Sequence, residues 1–162
     1  MNGRRMDVWT LVATGFGLGL LPWAPGTWGS LLAIGVRVAE GSLGLGLAAR
    51  AVIAALAVLV GVPLCAHAAR RLARPDPPQV VWDEVAALLA ATLVVPFRPL
   101  PLAVLFLAFR FFDILKPWPV GFLDRKLKGG LGIMADDLAA AALAAVAVAF
   151  LLWLQLFLMR RH

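Results

Sequence analysis

The chain has 162 residues, of which 62% are hydrophobic and 15% are charged, and its formal net charge is +6. Its mean hydropathy of +0.91 lies far above that of soluble domains, which are roughly half apolar and a quarter charged. This composition excludes an ordinary soluble domain. It predicts a single all-α, membrane-embedded multi-helix bundle over residues 1–162, because one membrane crossing takes roughly 20 residues.

The basic residues cluster at the ends of apolar segments. The clusters are Arg4-Arg5, Arg70 to Arg74, Arg125 to Lys128 and Arg160-Arg161. Lysine and arginine beside apolar segments are typical of cytoplasmic ends near lipid headgroups. The pattern therefore favours a membrane partner and no nucleic acid. The single cysteine, Cys65, excludes an intramolecular disulfide.

Residues 14–30 contain five glycines and two prolines, which predicts a loop at membrane depth followed by a helix from about Leu31. Irregular backbone at that depth must be surrounded by protein or line a water-filled cavity, so this glycine/proline-rich loop is expected to line a site. Gly26, Thr27 and Ser30 stand ahead of the helix and are candidates for binding phosphate. The alternative is that the glycines only allow close helix packing.

Leu31 to Ala69 is typical of a helical hairpin that is broken near Glu40. We interpret this part as a scaffold. His67 near its end is expected to be structural.

Adjacent carboxylates at Asp83 and Glu84 open the next apolar segment, after a polar break that contains Asp76. Asp83 could simply cap a helix, which is worth about 1 kcal/mol, and Glu84 would suit the positive helix end. The segment is then broken by three prolines around Arg98. Each arm has about 11 to 12 residues, or roughly 17 Å, which is too short to cross a membrane. A re-entrant hairpin is therefore predicted, and it returns Arg110 to the side of Asp83.

Phe109 to Pro119 carries charges of both signs inside an apolar stretch. Arg110 and Asp113 are three residues apart and share a helix face. Pro117 disfavours helix at Lys116, so the helix should end there. We expect Arg110 and Lys116 to bind an anion and Asp113 a cation. The alternative is a solvated ion pair of little energetic value.

The connector 124–133 is basic and glycine-rich, and a second acidic pair follows it. Gly129 and Gly130 could form a turn that lets a phosphate approach backbone amides. Asp136 and Asp137 stand just before the apolar segment Leu138 to Met159, which is long enough to cross a membrane once.

Carboxylates from several elements suit a hard divalent cation. The predicted metal ligands are Asp83, Asp113, Asp136 and Asp137, with Glu84 and Asp76 as partial or outer ligands. The predicted catalytic residues are Asp83, Asp113, Asp136, Asp137, Arg110 and Lys116. Cationic residues and glycine-rich backbone accompany these carboxylates at a membrane face. Together they favour a site that acts on the phosphate of a lipid. No motif offers a nucleophilic histidine or cysteine, so attack by metal-activated water is expected.

Four ordered blocks resemble the phosphatidylglycerophosphatase A family. They comprise Thr14 to Gly17 with Pro25 to Ser30, Val81 to Glu84, Phe109 to Pro119, and Gly129 to Asp137. The resemblance implies a Mg²⁺-dependent lipid phosphatase of the bacterial inner membrane, which converts phosphatidylglycerophosphate to phosphatidylglycerol. Because that substrate is made in the inner leaflet, the active site of the multi-pass protein should face the cytoplasm.

A small membrane transporter or ion-binding protein is the alternative, since carboxylates within a membrane also mark ion pathways. It accounts for the acids but not for Arg110 and Lys116 beside them. The oligomeric state is left open.

Overall fold

The computed structural model describes residues 6–161. The basic pair predicted at Arg4-Arg5 lies outside the described residues. Within them the protein is all-helical, as predicted. The helices are α1 (Val8–Ala13), α2 (Pro25–Ser42), α3 (Leu47–Arg71), α4 (Trp82–Ala91), α5 (Pro99–Leu115), α6 (Val120–Lys126) and α7 (Gly129–Met159), with one 3-10 turn at Leu18–Leu20.

The short helix α4 lies at the centre of the fold. It packs against α2, α3 and α7, and seven of its ten residues are buried. Such burial requires a helix that is apolar on nearly every side, and residues 85–91 are only Ala, Leu and Val. The tight packing fixes the first turn of α4, where Asp83 and Glu84 lie.

Within residues 6–161 two helices, α3 and α7, are long and apolar enough to cross a membrane by length and composition. With 25 and 31 residues, they extend for about 37 Å and 46 Å at 1.5 Å per residue, more than the roughly 30 Å of a hydrocarbon core. At about 15 Å, the ten-residue helix α4 falls well short of that thickness.

The predicted start of the second helix at Leu31 was wrong, because α2 begins six residues earlier, at Pro25. A proline in the first turn suits a helix start, since its missing amide hydrogen has no intrahelical partner there. Gly29 lies inside the helix, on the face that packs against Val81. A side chain would not fit there, because an added Cβ would come within 2.8 Å of the Val81 backbone oxygen. The first two turns of α2 therefore contain Gly26, Thr27 and Ser30.

The turn predicted at Gly129 and Gly130 is limited to Gly129, which opens α7 with a left-handed φ of 67°, because Gly130 already lies within the helix. An added Cβ on Gly130 would collide with the carbonyl oxygen of Val62 in α3. Small residues permit this close helix crossing, and its packing outweighs the low helix propensity of glycine. Asp136 and Asp137 consequently lie inside α7 and not ahead of it.

The chain reverses between α4 and α5, as predicted, although α5 has 17 residues and is longer than the expected arm. The turn is held against α2 by Phe97, whose ring centroid lies 4.1 Å from the Arg37 guanidinium carbon. Arg37 is buried beside Glu40. That the hairpin is re-entrant in a bilayer stays a prediction.

The predicted helix end at Lys116 is confirmed: α5 ends at Leu115, and Lys116 adopts a left-handed conformation with φ 46°. His67 lies 3.2 Å from Asp7, and the Arg71 guanidinium lies 2.7 Å from the same carboxylate. Asp7 also accepts a hydrogen bond from the Thr10 amide in the first turn of α1. These contacts tie α1 to the end of α3 and agree with a structural role for His67.

Candidate active site

A cavity of about 260 Å³ lies between the start of α2, the first turn of α4, the end of α5 and the first turns of α7. Nine residues selected from the sequence line it: Gly26, Asp76, Asp83, Glu84, Arg110, Asp113, Lys116, Asp136 and Asp137. They come from five separate segments of the chain, at positions 26, 76, 83–84, 110–116 and 136–137, so the fold brings the predicted acidic and basic groups to one place.

Three of the carboxylates form a compact group in this cavity. One oxygen each of Asp83, Glu84 and Asp137 lies within 4.8 Å of the other two. Asp83 Oδ1, Glu84 Oε2 and Asp137 Oδ2 are buried, and none has a hydrogen-bond partner among the described residues. Buried carboxylates without partners are costly. Their oxygen chemistry and spacing fit a hard divalent cation, which would satisfy all three.

The two acids in the first turn of α4, outside the candidate spans, have raised pKa values. Burial raises the pKa of Glu84 to about 7, against the lowering effects of Asp83 and Arg110. Burial, together with the negative charges of Glu84 and Asp137, raises the pKa of Asp83 well above its usual range. A bound cation would oppose both shifts by stabilising the charged forms.

Arg110 lies beside this group. Its Nη1 atom is 2.7 Å from Asp113 Oδ2 and 3.7 Å from Glu84 Oε1. Gly26 of α2 faces Glu84 and Arg110. An added Cβ there would collide with the Glu84 carboxylate and come within 2.7 Å of Arg110 Nη1. The guanidinium is therefore held from one side by carboxylates, with the backbone of α2 directly against it. Its buried Nε has no hydrogen-bond partner among the described residues.

Lys116 is held differently. Its Nζ donates to Asp124 Oδ1 at 2.6 Å and to Asp136 Oδ2 at 2.7 Å. Burial alone would lower the pKa of Lys116, but these two hydrogen bonds outweigh it and raise the pKa. The same bond from Lys116 lowers the pKa of Asp124. One of the three N–H donors is left for another acceptor.

Sequence reasoning missed Asp124. It lies eight residues after Lys116, beyond two prolines and in a separate helix, α6. No helical spacing relates the two positions, so only their direct contact reveals the pairing. Asp136 belongs to this ion pair, whereas its neighbour Asp137 belongs to the three-carboxylate group.

Four predicted phosphate-binding residues lie outside the lining of the main cavity: Thr27, Ser30, Gly129 and Gly130. Ser30 is fully buried, and its hydroxyl donates to the Gly26 carbonyl at 2.9 Å. Gly130 packs on α3, as described above. Gly129 lines an adjoining cavity of about 180 Å³, which shares Asp76 and Asp136 with the main one.

A family model described as Phosphatidylglycerophosphatase A matches residues 11–152. The phosphatidylglycerophosphatase A of Haemophilus influenzae is 40% identical over 139 residues, which cover 85% of each chain. That of Escherichia coli K12 is 37% identical over 143 residues, which cover 88% of this chain and 82% of the relative.

A further relative, from Bacteroides thetaiotaomicron, carries a provisional name as a phosphatidylinositol-3-phosphatase. It is 36% identical over 152 residues, which cover 88% of this chain and 92% of the relative. No solved structure matches the chain.

Proposed function

The chain belongs to the phosphatidylglycerophosphatase A family of phosphoric monoester hydrolases, and we propose that it uses Mg²⁺ to hydrolyse the terminal phosphomonoester of phosphatidylglycerophosphate. The products are phosphatidylglycerol and inorganic phosphate. Family membership favours an enzyme over the transporter considered from the sequence alone.

The observation that carries the proposal is the group of three carboxylates next to an arginine, each with one buried oxygen that has no hydrogen-bond partner within residues 6–161. Asp83, Glu84 and Asp137 would hold the magnesium ion. Asp113, Asp136 and Asp76 line the same cavity and would lie around these three metal-binding carboxylates. When bound, the ion supplies Lewis-acid activation of the phosphoryl group and neutralises its negative charge.

The protein's own side chains bind and orient the phosphate in this proposal. Arg110 offers the planar fork of donors that matches phosphate oxygens, and Asp113 holds that fork in place at 2.7 Å. Gly26 lets the α2 backbone lie against the guanidinium. Lys116 keeps one N–H for the substrate while Asp124 and Asp136 hold its other two. In the reaction an oxygen from water replaces the glycerol oxygen on phosphorus.

We further propose a multi-pass protein of the bacterial inner membrane with its site facing the cytoplasm. Two candidate spans support this location. Trp23 directly precedes the cavity-lining Ala24, and Trp118 follows the cavity-lining Lys116 by two residues; the two tryptophans are 80% and 82% exposed. Exposed tryptophans commonly anchor proteins at the membrane interface. The exposed basic residues Arg125 and Lys126 lie close by in the chain.

The Bacteroides thetaiotaomicron relative supports a second candidate substrate, a phosphatidylinositol 3-phosphate. Both lipids present a phosphomonoester on a headgroup, so the same carboxylates and arginine would serve either. The two candidates differ only in the headgroup that the cavity accepts.

Phosphate release by the purified protein in detergent micelles tests the proposal. In millimolar Mg²⁺ we expect turnover of phosphatidylglycerophosphate, with a higher kcat/KM than for phosphatidylinositol 3-phosphate. Excess EDTA should abolish turnover, and added Mg²⁺ should restore it. Equal activity with and without EDTA would contradict the metal assignment, and a preference for the inositol lipid would favour the second candidate.

A further inference from the structure

An apolar groove of about 580 Å³ lies between α2 and α5. Leu31, Ile34 and Val38 form its α2 wall, and Ala103, Phe106 and Leu107 lie along its α5 wall. Leu31, Val38 and Leu107 are each 45% exposed or more. Among the lining residues Arg98 is charged. It lies at the end of the groove that is next to the α4–α5 turn.

The groove and the phosphate cavity share two helices, because α2 and α5 each contribute lining residues to both. Leu31 follows Gly26 by five residues, or about 8 Å along α2. Leu107 precedes Arg110 by three residues, or about 5 Å along α5. On each helix a residue of the groove therefore lies within about 8 Å, along the helix axis, of a residue that lines the cavity, so the groove is within reach of the chains of a lipid whose phosphate contacts Arg110.

The far end of the groove is held by fixed contacts. The Phe97 ring lies over Arg37 of α2 at 4.1 Å. Gly41 makes room for this ring, since an added Cβ would come within 2.6 Å of its Cζ atom. The turn is thus pinned to α2, which keeps the two helices apart at a set distance. A preformed groove reduces the entropy lost when a flexible chain binds.

A second apolar groove, of about 830 Å³, lies between α5 and α7 but does not share this relation to the site. Its first α7 residue is Val148, eleven residues beyond Asp137 and therefore about 16 Å further along the helix. Size alone would favour this groove, whereas proximity to the phosphate cavity favours the one between α2 and α5.

We propose that the α2–α5 groove binds an acyl chain of the lipid substrate, so that the phosphomonoester enters the cavity sideways from the membrane between these two helices. The inference rests on the proposed lipid phosphatase function and adds the acyl chain to what the protein recognises. It assigns the groove a role in KM, separate from the chemistry at Asp83 and Arg110.

Filling the groove tests the assignment. Ala103→Phe places a ring in the middle of the α5 wall, seven residues or about 10 Å before Arg110. Ala149→Phe makes the same change on the exposed surface of α7, outside this groove, and is the matched control. The measurement is kcat/KM for phosphatidylglycerophosphate with dioleoyl and with dihexanoyl chains.

We expect Ala103→Phe to lower the ratio of long-chain to short-chain kcat/KM by about tenfold or more, mainly through KM, because excluded methylenes lose their apolar contacts. Ala149→Phe should keep the wild-type ratio. Should Ala103→Phe not fold, Val38→Phe narrows the groove from the α2 wall and carries the same expectation.

A wild-type ratio in the groove variants, or an equal loss on both lipids, would overturn the acyl-chain assignment while leaving the phosphatase function standing. A wild-type protein that releases phosphate from neither lipid would instead overturn the proposed function, and the groove assignment would fall with it.

Discussion

Gly26, in the first turn of α2, lies against Glu84 and Arg110, two side chains of opposite charge. An added Cβ would collide with the Glu84 carboxylate and crowd Arg110 Nη1. We therefore expect Gly26→Ala to displace one or both side chains and to lower kcat/KM by about tenfold or more, since small misplacements of positioned groups are costly.

The control for this substitution is in the same helix. An added Cβ at Gly35 has no heavy atom within 4 Å, so Gly35→Ala should keep the activity and raise stability by up to about 1 kcal/mol. Kinetics and melting curves in detergent would measure both effects. Wild-type kinetics for Gly26→Ala would show that the contact does not matter for turnover.

Asp136 and Asp137 are neighbours in sequence with different partners. Asp137 belongs to the group with Asp83 and Glu84, whereas Asp136 accepts a hydrogen bond from Lys116. Asp137→Asn should raise the Mg²⁺ concentration for half-maximal activity by about tenfold or more, because it removes one negative ligand.

Asp136→Asn should instead lower kcat and leave the Mg²⁺ concentration for half-maximal activity nearly unchanged. The reason is that this substitution weakens one of the two hydrogen bonds that position Lys116. Activity titrated with Mg²⁺ for the two variants separates the roles. If both variants shift the Mg²⁺ dependence equally, Asp136 is also a metal ligand, as the sequence predicted.

At the scale of the helices, Gly130 determines how closely α7 approaches α3. Its added Cβ would collide with the Val62 carbonyl oxygen, so Gly130→Ala must push the two helices apart. Overpacking of this kind costs about 1–3 kcal/mol. We expect a lower melting temperature in detergent, with Gly35→Ala again as the control.

The sequence also assigned Gly130 to phosphate binding, and the same variant distinguishes the two roles. A wild-type melting temperature combined with weaker inhibition by inorganic phosphate would support that assignment. A lower melting temperature with unchanged phosphate inhibition would support packing.

Both misplaced helix starts have one physical cause. Gly26, Gly29, Gly130 and Gly132 have low helix propensity, and counting them along the chain predicts loops. In the fold Gly26, Gly29 and Gly130 lie against Glu84, Val81 and Val62 from distant parts of the chain, where an added Cβ would meet an atom closer than 3.0 Å. Contacts between helices outweigh local propensity, and local sequence does not contain those contacts.

For the whole molecule, the proposed sidedness requires Arg74 and Lys126 to lie at one membrane face. Leu43, in the connection between α2 and α3, lies at the opposite end of the candidate span α3. All three are exposed. Cysteines placed singly at these positions in a Cys65→Ser background can be labelled in spheroplasts with a membrane-impermeant maleimide.

We expect the cysteine at position 43 to label in intact spheroplasts and those at 74 and 126 only after the cells are opened. Basic residues near positions 74 and 126 support this orientation. Opposite behaviour of positions 74 and 126 would contradict a single shared site at one face.

The sequence by itself determined the all-α class and the residues worth considering for chemistry. In a chain so apolar, the nine acidic residues are conspicuous, and each one buried without a partner would be costly. That reasoning selected the acidic and basic residues that line the cavity. It missed Asp124, which lies outside this lining and accepts a hydrogen bond from Lys116.

Only the tertiary structure decided how these residues are grouped. Consecutive helical side chains point about 100° apart, so Asp136 and Asp137 turn to different neighbours, one to Lys116 and the other to Asp83 and Glu84. The pairing of Lys116 with Asp124 and the groove beside Arg110 likewise arise where separate helices meet. Such relations depend on how helices pack in three dimensions, and no spacing along the chain encodes them.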